Sequence, residues 1–199
     1  SKKPDAAIWM TCCGAPAEWA GEVDIHAAHL EEMRRQWREL GEPTVVLACP
    51  NCRKMFEEYL PELPVVFLAE VMEEWGVETA GTAGEPYALF DPCASRYYPE
   101  LQESVRHLAD AAGITWENLP YDGKKARCCG YGGHIGIASP SHTSYMTTSR
   151  AKEEELPYVT YCVNCRESFA GQGKEAVHIL DLLFGLNGAG RPAATVTER

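Results

Sequence analysis

Every cysteine of the 199-residue chain belongs to one duplicated arrangement. Cys12-Cys13-Gly14 leads, 35 positions past its glycine, to Cys49-Pro50-Asn51-Cys52. Cys128-Cys129-Gly130 leads, 32 positions past its glycine, to Cys162-Val163-Asn164-Cys165. The ninth, Cys93, is separated from Cys128 by 34 residues. Thiolates are soft ligands suited to iron–sulfur clusters and zinc, so a chain that gives all its thiols to one repeated pattern reads as a metal-thiolate protein.

The two halves offer different donor sets. Tetrahedral zinc takes four ligands, and the first half supplies four: Cys12, Cys13, Cys49 and Cys52. The second supplies five, Cys93, Cys128, Cys129, Cys162 and Cys165, one more than zinc needs, which favours a polynuclear centre. A CxxC pair between a strand and a helix also suits a redox dithiol, because the helix N-terminus stabilises a thiolate. Val45 to Tyr59 resembles the active-site segment of a thioredoxin in this respect, but that leaves the double cysteines and Cys93 unexplained. Disulfides are disfavoured: the cysteine count is odd, two pairs are vicinal, and a chain this long does not need staples. A reducing cytoplasm is the expected compartment.

The offset between the halves is 116 residues at the double cysteines (128 − 12) and 113 at the CxxC pairs (162 − 49). Applied to Cys93, it puts a counterpart before residue 1. With Ser1-Lys2-Lys3-Pro4 in place of an initiator methionine or signal peptide, the expectation is a fragment of a longer protein, or a subunit lacking the first part of its first repeat.

Strands and helices must bring these thiols together. Ile8–Met10 is expected as a strand leading into the first double cysteine. Leu30, Met33, Trp37 and Leu40 form a helical stripe within 24–40, stopped by Gly41 and Pro43. Val45–Ala48 reads as a buried strand ending at Cys49, followed by a helix over 53–59, a strand at Val65–Phe67, and a helix carrying Leu68, Val71, Met72 and Trp75. A small, glycine-rich connector occupies 77–86, so the expected repeats are 1–80 and 81–184, with 185–199 a disordered tail. In the second repeat, strands at Tyr87–Phe90, Ile114–Leu119 and Tyr158–Tyr161 alternate with helices through Leu101–Ala112 and Ser141–Glu155. The expected fold is α/β: two pseudo-symmetric β-α-β repeats with parallel strands and cysteines at the strand carboxyl ends, where open parallel sheets collect ligands. Gly14 and the run Gly130, Gly132, Gly133 would let backbone amides approach cluster sulfides closely.

At these residues the chain resembles the cysteine-rich CCG-domain family, which includes the B subunit of heterodisulfide reductase and iron–sulfur subunits of glycolate, lactate and glycerol-3-phosphate oxidoreductases. The family pattern is a lone cysteine, then CCG, then CxxC. The second half matches in full, from Asp91-Pro92-Cys93 to Cys165; the first matches from Cys12 onward. The resemblance implies that Cys93, Cys128, Cys129, Cys162 and Cys165 ligate a [4Fe-4S] cluster, of the non-cubane kind in heterodisulfide reductase. Cys12, Cys13, Cys49 and Cys52 would hold a second cluster or zinc. It further implies electron transfer to or from a thiol or disulfide. The ferredoxin run CxxCxxCxxxCP is absent, so electrons would arrive from a ferredoxin-type or flavoprotein partner. A relay subunit without its own catalysis, or a zinc-stabilised docking module, is the competing expectation.

Other features are weaker. Net charge is −11, from 18 basic and 29 acidic side chains, which argues against nucleic acid or an anionic membrane surface as partner. No apolar run is long enough to span a bilayer. Arg96 is placed to neutralise cluster or substrate charge, and His134 to donate a proton or bind metal, though a surface histidine is the simpler reading. His26 and His29 read as ordinary helix residues.

Overall fold

The computed structural model describes residues 6–80, 84 and 86–186. Helices α1 (Ala15–Ala20) and α2 (Val23–Glu39) precede strand β1 (Val45–Leu47), α3 (Pro50–Tyr59), β2 (Val65–Phe67) and α4 (Leu68–Glu74). The second half runs through β3 (Tyr87–Phe90), α5 (Pro99–Ala111), β4 (Trp116–Asn118), α6 (Ile135–Ala138) and α7 (Pro140–Ala151). It continues into β5 (Tyr158–Thr160), α8 (Val163–Ala170), β6 (Ala176–His178) and α9 (Ile179–Leu183). Every strand pairing is parallel: β1 with β2 in one sheet, and β4-β3-β5-β6 in the other. This is the expected α/β architecture. The repeat extends to register, since Val45 opposes Val65 as Tyr158 opposes Ala176.

Apolar spacing explains the helices. Leu30, Met33 and Trp37 are the buried stripe of α2, whereas Leu40 lies past the helix end and is exposed. Leu101, Val105 and Leu108 bury one face of α5. They join Phe67 and Met72 from the first half, and Val177, Ile179 and Leu183 from the second, in one core shared by both repeats. The repeats are also tied by Tyr98 Oη donating to Glu57 at 2.6 Å and by Ala80 N–H donating to the Leu183 carbonyl at 2.8 Å. Among the described residues no helix is long and apolar enough to cross a membrane.

Two local expectations fail. Ile8–Met10 forms no strand, and Ile8 is 87% exposed; a short apolar run needs a neighbour to pair with, and Thr11 N–H instead bends back to the Trp9 carbonyl at 3.1 Å. Val45–Ala48 is not a buried strand: β1 stops at Leu47, and Val46 is 45% exposed. The connector expected at 77–86 lies outside the described residues at 81–83 and 85, as does the expected tail from 187 onward.

The carboxyl ends of β3 and β5 are fastened by a buried carboxylate. Asp91, 2% exposed, follows β3 directly. It accepts from Arg106 of α5 at 2.8 Å, from Tyr161 Oη after β5 at 2.7 Å, and from Gly123 N–H in the loop to the second double cysteine at 2.8 Å. Tyr161 Oη also lies 2.7 Å from Ser95 Oγ, just beyond Cys93. Breaking a buried, hydrogen-bonded ion pair from one side leaves the other charge unmatched, at a cost of about 3–5 kcal/mol. Asp91→Ala is therefore expected to lower the stability of the reduced, metal-free protein by that amount in denaturant unfolding. A loss under about 1 kcal/mol, the scale of one neutral hydrogen bond, would show that this network does not hold the two strand ends together.

Candidate metal centre

Both CxxC pairs occupy the same structural position. Cys49 follows β1 in extended conformation (φ −124°) and precedes the first turn of α3, with Pro50 preset for a helix start and Cys52 within that turn. Cys162 does the same after β5 (φ −134°), with Cys165 in the first turn of α8. The extended residue aims its sulfur across the helix start, where free amides gather. Cys49 accepts from the amides of Cys52 and Asn51.

The double cysteines sit on left-handed turns. Gly14 has φ +84° and Gly130 φ +100°, conformations that a side chain resists. Each turn packs against the second helix after it. A Cβ on Gly130 would meet Thr147 Oγ1 of α7 at 3.0 Å, and one on Gly14 would meet the His26 ring of α2 at 3.0 Å. Thr147 Oγ1 donates to the Cys129 carbonyl at 2.7 Å, and His29 Nε2 lies 2.6 Å from the Cys12 carbonyl. His29 thus bonds the first turn, and the buried His26 ring lies beside Gly14 and packs edge-on against Tyr59 at 4.7 Å.

All nine cysteines are free thiols, and eight of them touch in one row. In the first half Cys13 meets Cys52, and Cys52 meets Cys49. In the second, Cys93 meets Cys128, Cys128 meets Cys129, Cys165 donates to Cys129 at 3.3 Å, and Cys165 meets Cys162. Cys162 also meets Cys49, joining the halves. Cys12 alone stands exposed. The structure therefore gathers Cys93, Cys128, Cys129, Cys162 and Cys165, gathers Cys13, Cys49 and Cys52, and leaves Cys12 outside. Sequence spacing gave no sign that the groups would touch.

Charge is distributed along this row by hydrogen bonding. Cys128 is pulled down to about 2 by Cys129 and Cys93, against burial and with help from the amides of Gly130 and Gly132. Cys49 is pulled down to about 3 by Cys162 and Cys52. Cys13 falls to about 7, chiefly through Cys52. Hydrogen bonds to neighbouring sulfurs keep the others protonated, with burial adding to the effect. Cys52 is raised by Cys13 and Cys49, Cys93 by Cys128, and Cys165 by Cys129 and Cys162. Cys129 rises to about 11 through Cys128, although Cys165 opposes the shift. At Cys162 the Cys165 hydrogen bond pulls down, but Cys49 and burial prevail, to about 12. Further thiolates in so small a volume would need a cationic partner.

An all-sulfur, half-buried donor set with amides aimed at it fits an iron–sulfur cluster. Gly130 N–H donates to Cys128 Sγ at 3.3 Å, and Tyr131 N–H to Cys129. Among the described residues no three His, Cys, Asp or Glu side chains are grouped as they would be around a metal ion. Arg96 lies close enough for its charge to favour the Cys93 thiolate, while its Nε donates to the Ala126 carbonyl at 2.5 Å. The His134 ring packs edge-on against Trp19 at 5.7 Å. Sequence reasoning missed Asp91, Arg106, Tyr161 and Thr147 as positioning residues. The available signal was a carboxylate closing an apolar strand one proline before Cys93, a position where burial demands a cation.

Gly130→Ala would impose a left-handed conformation on alanine and push its Cβ against Thr147. The strain alone is about 1–2 kcal/mol, and a loss of at least that size in urea unfolding is expected, with a smaller effect from Gly132→Ala, whose Cβ would meet open space. Equal effects from the two substitutions would contradict a turn closed by α7.

The chain is 23% identical over 145 residues (72% of the chain) to an uncharacterized iron–sulfur protein of Methanocaldococcus jannaschii, covering 29% of that protein. It is 24% identical over 197 residues (90% of the chain) to the B subunit of the CoM/CoB fumarate reductase of Methanothermobacter marburgensis, covering 38% of that polypeptide. The chain thus spans about a third of the length of these curated relatives. A family model described as a CCG cysteine-rich domain matches residues 3–57 and 87–170. These two segments contain all nine cysteines, and the chain belongs to the CCG cysteine-rich domain family.

Proposed function

We propose that this chain is an iron–sulfur oxidoreductase module. In this reading a [4Fe-4S] cluster, of the non-cubane kind that five cysteine ligands permit, is held by Cys93, Cys128, Cys129, Cys162 and Cys165. A second cluster or zinc is held in the first repeat (1–80) by Cys13, Cys49 and Cys52, together with Cys12. The observation that carries the reading is the gathering of five thiols at the carboxyl ends of β3 and β5, within a chain whose relatives include an iron–sulfur protein.

When bound, the cluster supplies one-electron chemistry to a thiol, a disulfide or a redox partner. The protein's residues do the rest. The Asp91 network fixes Cys93 relative to Cys162, and the amides of Gly130, Tyr131 and Gly132 donate to sulfur, which stabilises negative charge there. The Phe90, Tyr158 and Phe169 rings pack with Cys129, Cys162 and Cys165 and keep water from that side. Arg96 offsets charge at Cys93. Free thiols of this kind require a reducing compartment, which supports a cytoplasmic location. A ferredoxin-type or flavoprotein partner would deliver or remove electrons, in keeping with the relative that is one subunit of a reductase.

A relay subunit without its own catalysis is the second reading. The contact between Cys49 and Cys162 favours it, since joined sites offer electrons a short route from one repeat to the other. Cys128→Ala is expected to remove the iron of the second site, about four per chain, while Cys13→Ala leaves it in place. Equal iron loss in both variants would sink the model of two distinct sites.

A further inference from the structure

The two repeats differ in the residue that stands two positions before each CxxC pair. In the first, Leu47 lies opposite Phe67 and precedes Cys49. In the second, Thr160 lies between Phe90 and His178 in the sheet and precedes Cys162. Successive strand residues alternate between faces. Val159 packs in the core shared by both repeats, whereas Tyr158 packs with Cys129, Cys162 and Cys165. Thr160 therefore belongs to the face of β5 that carries the thiols, between Tyr158 and Cys162.

Thr160 is 0% exposed, and its hydroxyl has no hydrogen-bond partner among the described residues. A buried hydroxyl left unpaired weakens a fold, and valine, of similar shape and equally suited to a strand, avoids that cost. Folding alone thus gives no reason for the hydroxyl. The polar groups beside it are already engaged. Tyr158 Oη donates to the Arg150 carbonyl at 2.7 Å, while the His178 ring accepts from Leu180 N–H at 3.3 Å and also bonds the Tyr161 backbone. Phe90 is apolar. What this face otherwise offers is sulfur, from Cys129, Cys162 and Cys165. A hydroxyl can donate, and a donor beside ligating sulfur stabilises negative charge there.

We propose that the Thr160 hydroxyl is held for the second site, where it donates a hydrogen bond to sulfur of the bound cluster and raises the reduction potential. The proposal rests on the iron–sulfur reading above. One electron from a low-potential donor adds one negative charge at the site with no bond made or broken, and the hydroxyl bond strengthens as that charge arrives. Thr160 is thus a tuning residue and not a ligand. The first repeat, with Leu47 at this position, has no counterpart to it.

The test compares wild type, Thr160→Val and Thr160→Ser as full chains, purified anaerobically and reconstituted with iron and sulfide. Thr160→Val removes the donor and keeps the shape; Thr160→Ser keeps the donor. Iron per chain is expected to be equal in all three. In a redox titration followed by electron paramagnetic resonance, Thr160→Val is expected to move the midpoint negative by the equivalent of about fivefold in the one-electron equilibrium constant, the worth of one hydrogen bond. Thr160→Ser is expected to stay near wild type. In the metal-free protein the urea midpoint of Thr160→Val is expected at or above that of wild type, because no partner is lost. A midpoint potential unmoved by Thr160→Val, or moved equally by Thr160→Ser, overturns the proposal while the iron–sulfur reading stands. So does a lower urea midpoint for metal-free Thr160→Val, which would give the hydroxyl a partner within the protein. Loss of iron from Thr160→Val would make the hydroxyl a ligand and overturns it as well. Wild type that takes up no iron overturns the iron–sulfur reading, and this proposal with it.

Discussion

A carboxylate denied water must be matched by cations and hydrogen-bond donors, and Asp91 finds them on three different stretches of chain. Arg106 comes from the helix after β3, Tyr161 from the end of β5, and Gly123 from the loop that leads to the second double cysteine. Each partner lies within a few residues of a cysteine or on a helix packed against one. One buried charge therefore sets where Cys93, Cys128 and Cys162 stand relative to each other. Hydrophobic burial alone could hold the sheet but would leave the strand ends free to slide, since it is non-directional.

With the strand ends fixed, the thiols crowd. Eight sulfurs in contact cannot all ionise in a half-buried space: hydrogen bonds from neighbouring sulfurs pull Cys49 and Cys128 far down and Cys13 less so, while the thiols between and beside them are held up. A bound metal centre would replace those shared protons with cationic charge, so affinity, protonation and local order would be linked. The contact between Cys49 and Cys162 means that charge placed on one repeat is felt by the other, which ties the two candidate sites more closely than their separation in sequence implies.

Much of this was legible in the sequence, for identifiable reasons. Cysteine spacing survives any change in surface residues, so the two CCG turns and two CxxC helix starts could be placed, as could the amphipathic stripes of α2 and α5. What escaped was tertiary. Whether Ile8–Met10 becomes a strand depends on a partner, which local apolarity does not reveal. The partnership of Asp91 with Tyr161 spans 70 residues, and neither residue type announces it. The roles of His26 and His29 follow from how α2 lies across the Gly14 turn, a packing angle that periodicity does not encode.

The central claim is that these thiols exist to hold iron and sulfide. The most direct measurement is iron, zinc and acid-labile sulfide per chain on anaerobically purified protein, recorded with its visible spectrum. The account predicts a coloured protein with about four iron and four sulfide, with or without one zinc. A colourless protein that holds zinc alone, and still takes up no iron after anaerobic reconstitution with iron and sulfide, would contradict it.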